Sequence, residues 1–484
     1  MAYKKFSWLK SAVLVAGIGG FPFDAYSDSA LEDALTGFDE EVLSGSASEL
    51  EDALLAFEEE APISDAKVAL SSPKIERNPL QVSGQLSFNS NYAYQANAPK
   101  IGDSDYRGFT KSQLAGLLEF DYKISPSWQA KLELKGFVDA IYSMKGRNRY
   151  SDDTLTTYES ELEVGEGYLQ GSLSENLDIK VGRQIVVWGK SDSIRVTDVM
   201  NPLDNRELGL VDIENLRLPV LMTRLDYYHQ AWQFSVLAQH EHRDPKEAAV
   251  NSEYFPSSVL PIPPGVQFPD IPASTMQLDE TTFSFAADGR FSGWDLSLYA
   301  GRFQDSRWHF TNGVTERDYG LFNMLGVSTN VMVDAWLLKA EMAVLSELQY
   351  NTVPEDKTRV DLLLGFEYKG IRDTTISLEV ADRYLIDYQP IMKNLPDFVD
   401  EHELQTALRV LYNFNHDRAT LGYLGQYFGN TFEKGGFHRA WLEYELTHSV
   451  NVTGGMIDYF GGDNPMLDAM RNNDKLFIEA KYFF

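Results

Sequence analysis

The sequence predicts an all-β chain, a transmembrane antiparallel up-and-down barrel of about eighteen strands behind a short acidic N-terminal leader. Three observations carry this. Apolar and polar residues alternate through most of residues 80–484, very short turns alternate with longer connections, and the chain ends in Tyr482-Phe483-Phe484. The mean hydropathy of −0.30 agrees, because only every second residue of a membrane-spanning strand faces lipid.

Residues 1–27 read as a secretory signal. Lys4, Lys5 and Lys10 give a positive start, Ala12 to Ile18 a short apolar stretch, and Ala25-Tyr26-Ser27 a small-x-small cleavage site. Residues 28–79 form the leader, with twelve acidic residues and no Lys or Arg between Asp28 and Glu60. It holds a repeat offset by nineteen positions, 31–41 and 50–60. Leu31, Leu35 and Phe38 in one copy, and Leu50, Leu54 and Phe57 in the other, fall on one helical face. Helices this short are marginal alone. The leader is therefore a disordered spacer, an arm docking on a periplasmic partner through those six residues, or a plug in the lumen.

The barrel follows from Gln81 onward. Val82, Gly84, Leu86 and Phe88 alternate with polar neighbours, as do Leu114, Gly116, Leu118 and Phe120, and then Ala130, Leu132 and Leu134. The same period recurs through Trp336–Val344, Val360–Tyr368 and His438–Leu446 to Leu476, Ile478, Ala480, Tyr482 and Phe484. Charges gather on one face of each strand, as they must where a charge on the lipid face costs roughly 2–4 kcal/mol at mid-bilayer. Short turns are expected at 125–127, 174–176, 229–231, 292–293, 330–333, 370–371, 415–417 and 448–449. Sixteen strands is the alternative if the weak segment 319–330 is not one. The terminal phenylalanine resembles the signal read by the barrel assembly machinery, which with outer-membrane lipid completes the expected surroundings.

Inward positions mix signs. Eleven acids (Glu119, Asp121, Glu133, Asp226, Glu341, Asp361, Glu367, Glu379, Glu443, Glu445, Glu479) face eight bases (Lys131, Lys135, Arg224, Lys339, Arg383, Arg409, Arg439, Lys481), with no basic ladder. The long connection after Gly182 carries the densest set of candidate site residues. Arg183, Gln184, Trp188, Asp192, Arg195, Asn201, Asp204, Arg206 and Arg217, with Arg224 and Asp226 beyond, suit a lumen constriction pinned by Arg–Asp pairs. The alternative is an ordered external loop. Alternation from Ile179 and Val181 points Arg183 at lipid, so a bulge near Gly182 is expected to turn it inward. A second connection, 244–280, is rich in apolar residues and proline. Tyr254, Phe255, Leu260, Ile262, Phe268 and Ile271 would form a hydrophobic lid, and the alternative is a loop packed on itself.

Several function classes are excluded or unsupported. A net charge of −30 argues against nucleic acid. With no cysteine, and no nucleophile elbow, zincin, Walker or calcium-loop pattern, neither an enzyme nor a cofactor is expected. His240 and His242 have metal-compatible spacing but no third ligand.

The run Gly182-Arg183-Gln184 to Trp188-Gly189, then Asn201-Pro202-x-Asp204 and Leu218-Pro219-Val220, resembles a large group of proteobacterial outer-membrane barrels known only as a domain of unknown function. The likeness runs from about residue 80 to the C-terminus. It implies genes placed beside a periplasmic lipid-carrier-like protein and a resistance-nodulation-division pump, and hence transport of lipid or other hydrophobic molecules. Three functions are therefore weighed: a partner-coupled conduit for hydrophobic molecules, a passive diffusion porin, and a barrel for adhesion or display.

Overall fold

A computed structural model of the chain describes residues 78–99, 104–256, 280–311 and 316–484. The expected signal peptide, the leader repeat with Leu31, Leu35, Phe38, Leu50, Leu54 and Phe57, and four lid residues, Leu260, Ile262, Phe268 and Ile271, lie outside them. Residues Arg77–Phe484 form one compact unit.

Eighteen antiparallel strands close on themselves, each bonded to its neighbours in sequence and the last to the first. The first six are β1 (Leu80–Ala93), β2 (Gly108–Ser125), β3 (Trp128–Asp139), β4 (Ser160–Ser174), β5 (Leu177–Gln184) and β6 (Val220–His229). Then come β7 (Trp232–Gln239), β8 (Thr282–Phe291), β9 (Trp294–Thr311), β10 (Glu316–Val333), β11 (Trp336–Leu348) and β12 (Lys357–Tyr368). The circuit ends with β13 (Thr374–Ile386), β14 (His402–Phe414), β15 (Ala419–Phe428), β16 (Gly435–Thr447), β17 (Val450–Phe460) and β18 (Lys475–Phe483). Segment 319–330 is thus a strand, which gives eighteen rather than sixteen.

The ladder closes at the C-terminal residue. Phe484 N donates to Gly84 O at 3.1 Å and Gly84 N to Phe484 O at 3.0 Å. A side chain at Gly84 would meet Leu117 O at 2.5 Å and the Phe484 ring at 2.8 Å, so this junction needs glycine. The short turns fall where expected, except that β10 runs on through Val333 and turns at Asp334–Ala335. Left-handed φ angles at Gln230, Gly293, Asp334, Asp373 and Asn415–Asp417 make these tight reversals.

Outside the barrel, Leu86, Leu114, Leu132, Leu162, Val236, Phe285, Leu298, Met342, Leu364, Leu442 and Ile478 stand exposed. They form the apolar belt that lipid covers. Beside the short turns, Phe291 stacks on Trp294 (4.4 Å) and Tyr412 on Phe414 (5.6 Å), and Trp336 meets Tyr368 at a tilt (4.3 Å), an interfacial girdle.

Candidate functional site

The site begins where β5 stops. β5 has only 8 residues and β4 has 15, so the chain leaves the wall part-way up and crosses the lumen as residues 185–219. Apolar side chains anchor the crossing. Val186, Trp188, Ile194, Val196 and Met200 join the inward Val220, Met222, Leu237, Tyr299, Phe303, Met324 and Leu345 in one buried cluster. Trp188 stacks on Tyr299 at 4.7 Å and meets Phe303 edge-on at 5.5 Å. Burial of such side chains contributes about 1.5–3 kcal/mol each.

Two wall carboxylates then satisfy the loop's backbone. Glu341 of β11 accepts from the amides of Lys190, Ser191 (2.7 Å) and Thr197 (3.1 Å) and from the Thr197 hydroxyl (2.8 Å). Glu379 of β13 accepts from the amides of Asp192, Ser193 and Ile194 at 2.7–3.1 Å. Gly189, at φ +87°, allows this approach, since a side chain there would meet both Glu341 oxygens at 2.8 Å.

The other predicted residues fall around this crossing. Gln184 is buried and donates to Met222 O. Asp192 pairs with Lys339. Arg195 and Arg217 share Asp198, at 3.1 and 2.8 Å. Asn201 accepts from Val186 N and donates to Leu218 O, tying the two ends of the loop together. Arg206 joins Asp204 and Glu161, and Arg224 joins Asp226. Burial pushes the Asp204 carboxyl up, but the Arg206 hydrogen bond and charge outweigh it, so its pKa is lowered. At the far wall Arg439 donates to Gly209 O and Leu210 O and pairs with Asp212.

Two expectations need correction. The pairing of β5 with β6 is continuous from Leu177 to Gln184, so no bulge occurs at Gly182. The irregularity sits across the neighbouring ladder, between Leu132 and Leu134 of β3. Arg183 keeps the parity of Ile179 and Val181, and its charge is met by Glu241 rather than by turning inward. Tyr254 is not an exposed lid residue. It is 3% exposed and packs with Phe437, Ile457 and Tyr459, while Phe255 is half-buried. His240 lies between Thr223 and Thr281, and His242 faces Glu280 O.

Among the described residues, three cavities adjoin the crossing. An outer one of about 400 Å³ lies above it, lined by Arg195, Arg243, Arg307, Arg359 and Arg383 with Asp198, Asp305 and Asp361. An inner one of about 730 Å³ runs beside β1–β4 and β16–β18 down to Glu479 and Lys481 near the short-turn end. A third of about 240 Å³ shares Arg195, Leu203 and Arg383 with the outer cavity and Val211, Asp212 and Glu214 with the inner one. Alternation over the strand centres misses Arg307 and Arg359, which lie near the outer ends of β9 and β12. Glu161, Glu163, Arg243 and Lys246 are missed too. Extending the strand period outward on β4, β9 and β12 would have found those that lie on strands.

A closed, even-stranded barrel with an apolar belt, tight turns at one end and an inward-folded loop is an integral barrel of the bacterial outer membrane. The chain belongs to the family described as "Protein of unknown function (DUF1302)", whose model matches residues 87–484. No curated protein matches it. Solved structures of similar architecture include OccK9 (OpdG) of Pseudomonas aeruginosa, 11% identical over 84% of this chain and 98% of that one, with a TM-score of 0.49. The outer membrane protein OpdK of the same organism is 12% identical over 84% and 99%, with a TM-score of 0.47. OccAB4 of Acinetobacter baumannii gives the same four values.

Proposed function

We propose that the barrel is an outer-membrane channel for small molecules, with an off-axis path along β1–β4 and β16–β18. One observation carries this: the inner cavity of about 730 Å³ follows the polar side of the wall and shares lining, through the third cavity, with the outer one. Its lining has nine acids, including Glu133, Glu163, Glu443 and Glu479, against six bases, including Lys111, Lys135 and Lys481. Solutes with polar or cationic groups suit that wall best. No catalytic activity is proposed.

The finer possibility is a conduit for hydrophobic cargo, coupled to a periplasmic lipid carrier and an inner-membrane pump. It draws support from one wall of the outer cavity, where Val196, Met200, Phe322, Leu345, Leu348 and Val399 are apolar. Single-channel conductance in planar bilayers, with and without residues 28–79, tests the channel. Steady conductance in both forms supports a channel open without partners. Conductance only after truncation makes the leader the plug. A barrel silent in both forms overturns the proposed path.

A further inference from the structure

The wall of the barrel is uneven in height. β5, β6, β7 and β8 have 8, 10, 8 and 10 residues, about the 9–11 that cross the hydrocarbon layer. Their neighbours continue. Above Gly167, β4 pairs with β3 alone, and above Gly301, β9 pairs with β10 alone. At roughly 3.3 Å per residue, the unpaired edges of 160–166 and 302–311 run on for about 23 and 33 Å. Between them, among the described residues, no sheet stands above the outer ends of β5 and β8. Leu162, 85% exposed, and Val164 face outward on the rim of this gap.

A strap, His240–Val250, spans it. Its backbone bonds run to β6 and the lumen loop: His240 N to Leu221 O, Lys246 N to Leu203 O, and Asn205 N to Lys246 O. Side chains join it to the two rims. Arg243 pairs with Glu163, and Lys246 with Glu161 and Glu163 at 2.6 and 2.8 Å. On the other rim Asp244 accepts from Gln304 at 3.2 Å, and Glu247 pairs with Arg317 at 3.4 Å. Side-chain pairs of this kind can part without disturbing a strand ladder. Behind the strap lies the outer cavity, for Arg243, Pro245 and Gln304 are part of its lining.

We propose that this gap is a lateral portal, through which an amphipathic molecule moves between the outer leaflet and the outer cavity when the strap swings aside. The chemistry of the cavity selects the class. One wall is apolar and the other carries arginine–carboxylate pairs, and about 400 Å³ is room for a ligand with a single chain or a compact ring system. The proposal rests on the channel reading only in needing a lumen to enter.

The test uses the full chain reconstituted in phosphatidylethanolamine–phosphatidylglycerol vesicles containing a diazirine-bearing palmitic acid, with labelled residues mapped by mass spectrometry. Labels are expected on Pro245, Gln304, Phe322 and Leu345 as well as on the belt. Arg243→Ala with Lys246→Ala should raise cavity labelling at least threefold. Because the chain has no cysteine, Asp244→Cys with Gln304→Cys can be joined by a short bis-maleimide, which should reduce cavity labelling to background. The joined pair carries the test if the alanine variant does not fold. Cavity labels that persist after joining mean entry through the mouth and overturn the portal, as does a cavity that never labels. Conductance measured on the same samples separates the two proposals. Conductance without cavity labelling removes only the portal, and labelling without conductance removes only the aqueous channel.

Discussion

The two halves of the lumen are built from the same strand period and end up with opposite character. Along β6–β13 the inward residues include a large apolar or small set, among them Val220, Met222, Leu237, Ala286, Met324, Ala343, Leu363 and Ala381, on which the crossing loop packs as on a soluble core, while the charged Lys339, Glu341 and Glu379 on the same faces bind that loop. Along β1–β4 and β16–β18 they are Ser87, Asn89, Asn91, Gln113, Glu133, Lys135, Glu443, Glu479 and Lys481, and a cavity remains. Alternation therefore decides which face is inward. The inward residue type decides whether that face is filled by protein or left wet.

The largest expected effect breaks the filled half. Trp188→Ala removes a ring that is 5% exposed and in contact with Tyr299 and Phe303. A loss of about 3–5 kcal/mol is expected, read as a lower unfolding midpoint by the heat-induced shift in gel mobility. Next comes the polar pin. Glu341→Ala leaves three loop amides without their acceptor, at a cost of about 1–3 kcal/mol for each group left buried and unsatisfied. Single-channel conductance should rise several-fold as the loop loosens. An unchanged conductance would mean that the apolar anchors, with Glu379 and Asn201, hold the constriction without Glu341.

Strand number, turn positions and the sign mixture of the lumen were legible in the sequence because each rests on local period. Four of the longer-range features were not. Arg183 reads as a misplaced charge until Glu241, from the end of the next hairpin, is seen beside it. Glu341 and Glu379 look like ordinary inward acids, since nothing local shows that loop amides will converge on them. Tyr254 reads as part of a lid because its partners, Phe437 and Tyr459, are far along the chain. The strap's role depends on four neighbouring strands being short, which hydropathy alone does not reveal.

The wet half predicts the opposite balance of effects. Glu479→Gln with Glu443→Gln should change stability by less than about 1 kcal/mol, because Glu479 is in a partly exposed ion pair with Lys481, which contributes little, and Glu443 accepts a hydrogen bond from Asn451 that a glutamine can also accept. The same pair lowers the inner lining from nine acids to seven against six bases. Wild-type reversal potentials in a KCl gradient should therefore show cation preference, and the double variant should lose most of it. Anion preference in the wild type would move the path away from this cavity.

The smallest effect separates the strap from the loop it rides on. Burial pushes the carboxyls of Asp244 and Glu247 up, in spite of Gln304 beside the first and Arg317 beside the second, with Asp318, Tyr319 and His242 nearby. A folded-state pKa above the free value, about 3.9 for Asp and 4.3 for Glu, means that docking takes up protons. The strap's stability thus grows as pH falls through those raised values, and is lost again as pH rises through them. Asp204 in the loop has the reverse sign. Its lowered pKa contributes stability that is present above the free Asp value and lost only as pH falls below it. As pH falls toward the free carboxylate values, amide exchange corrected for its intrinsic rate should slow in 243–250 and stay level in 203–207 until pH passes below the free Asp value. Equal changes in the two segments would show that strap and loop open as one piece, and would remove the portal's independence from the constriction.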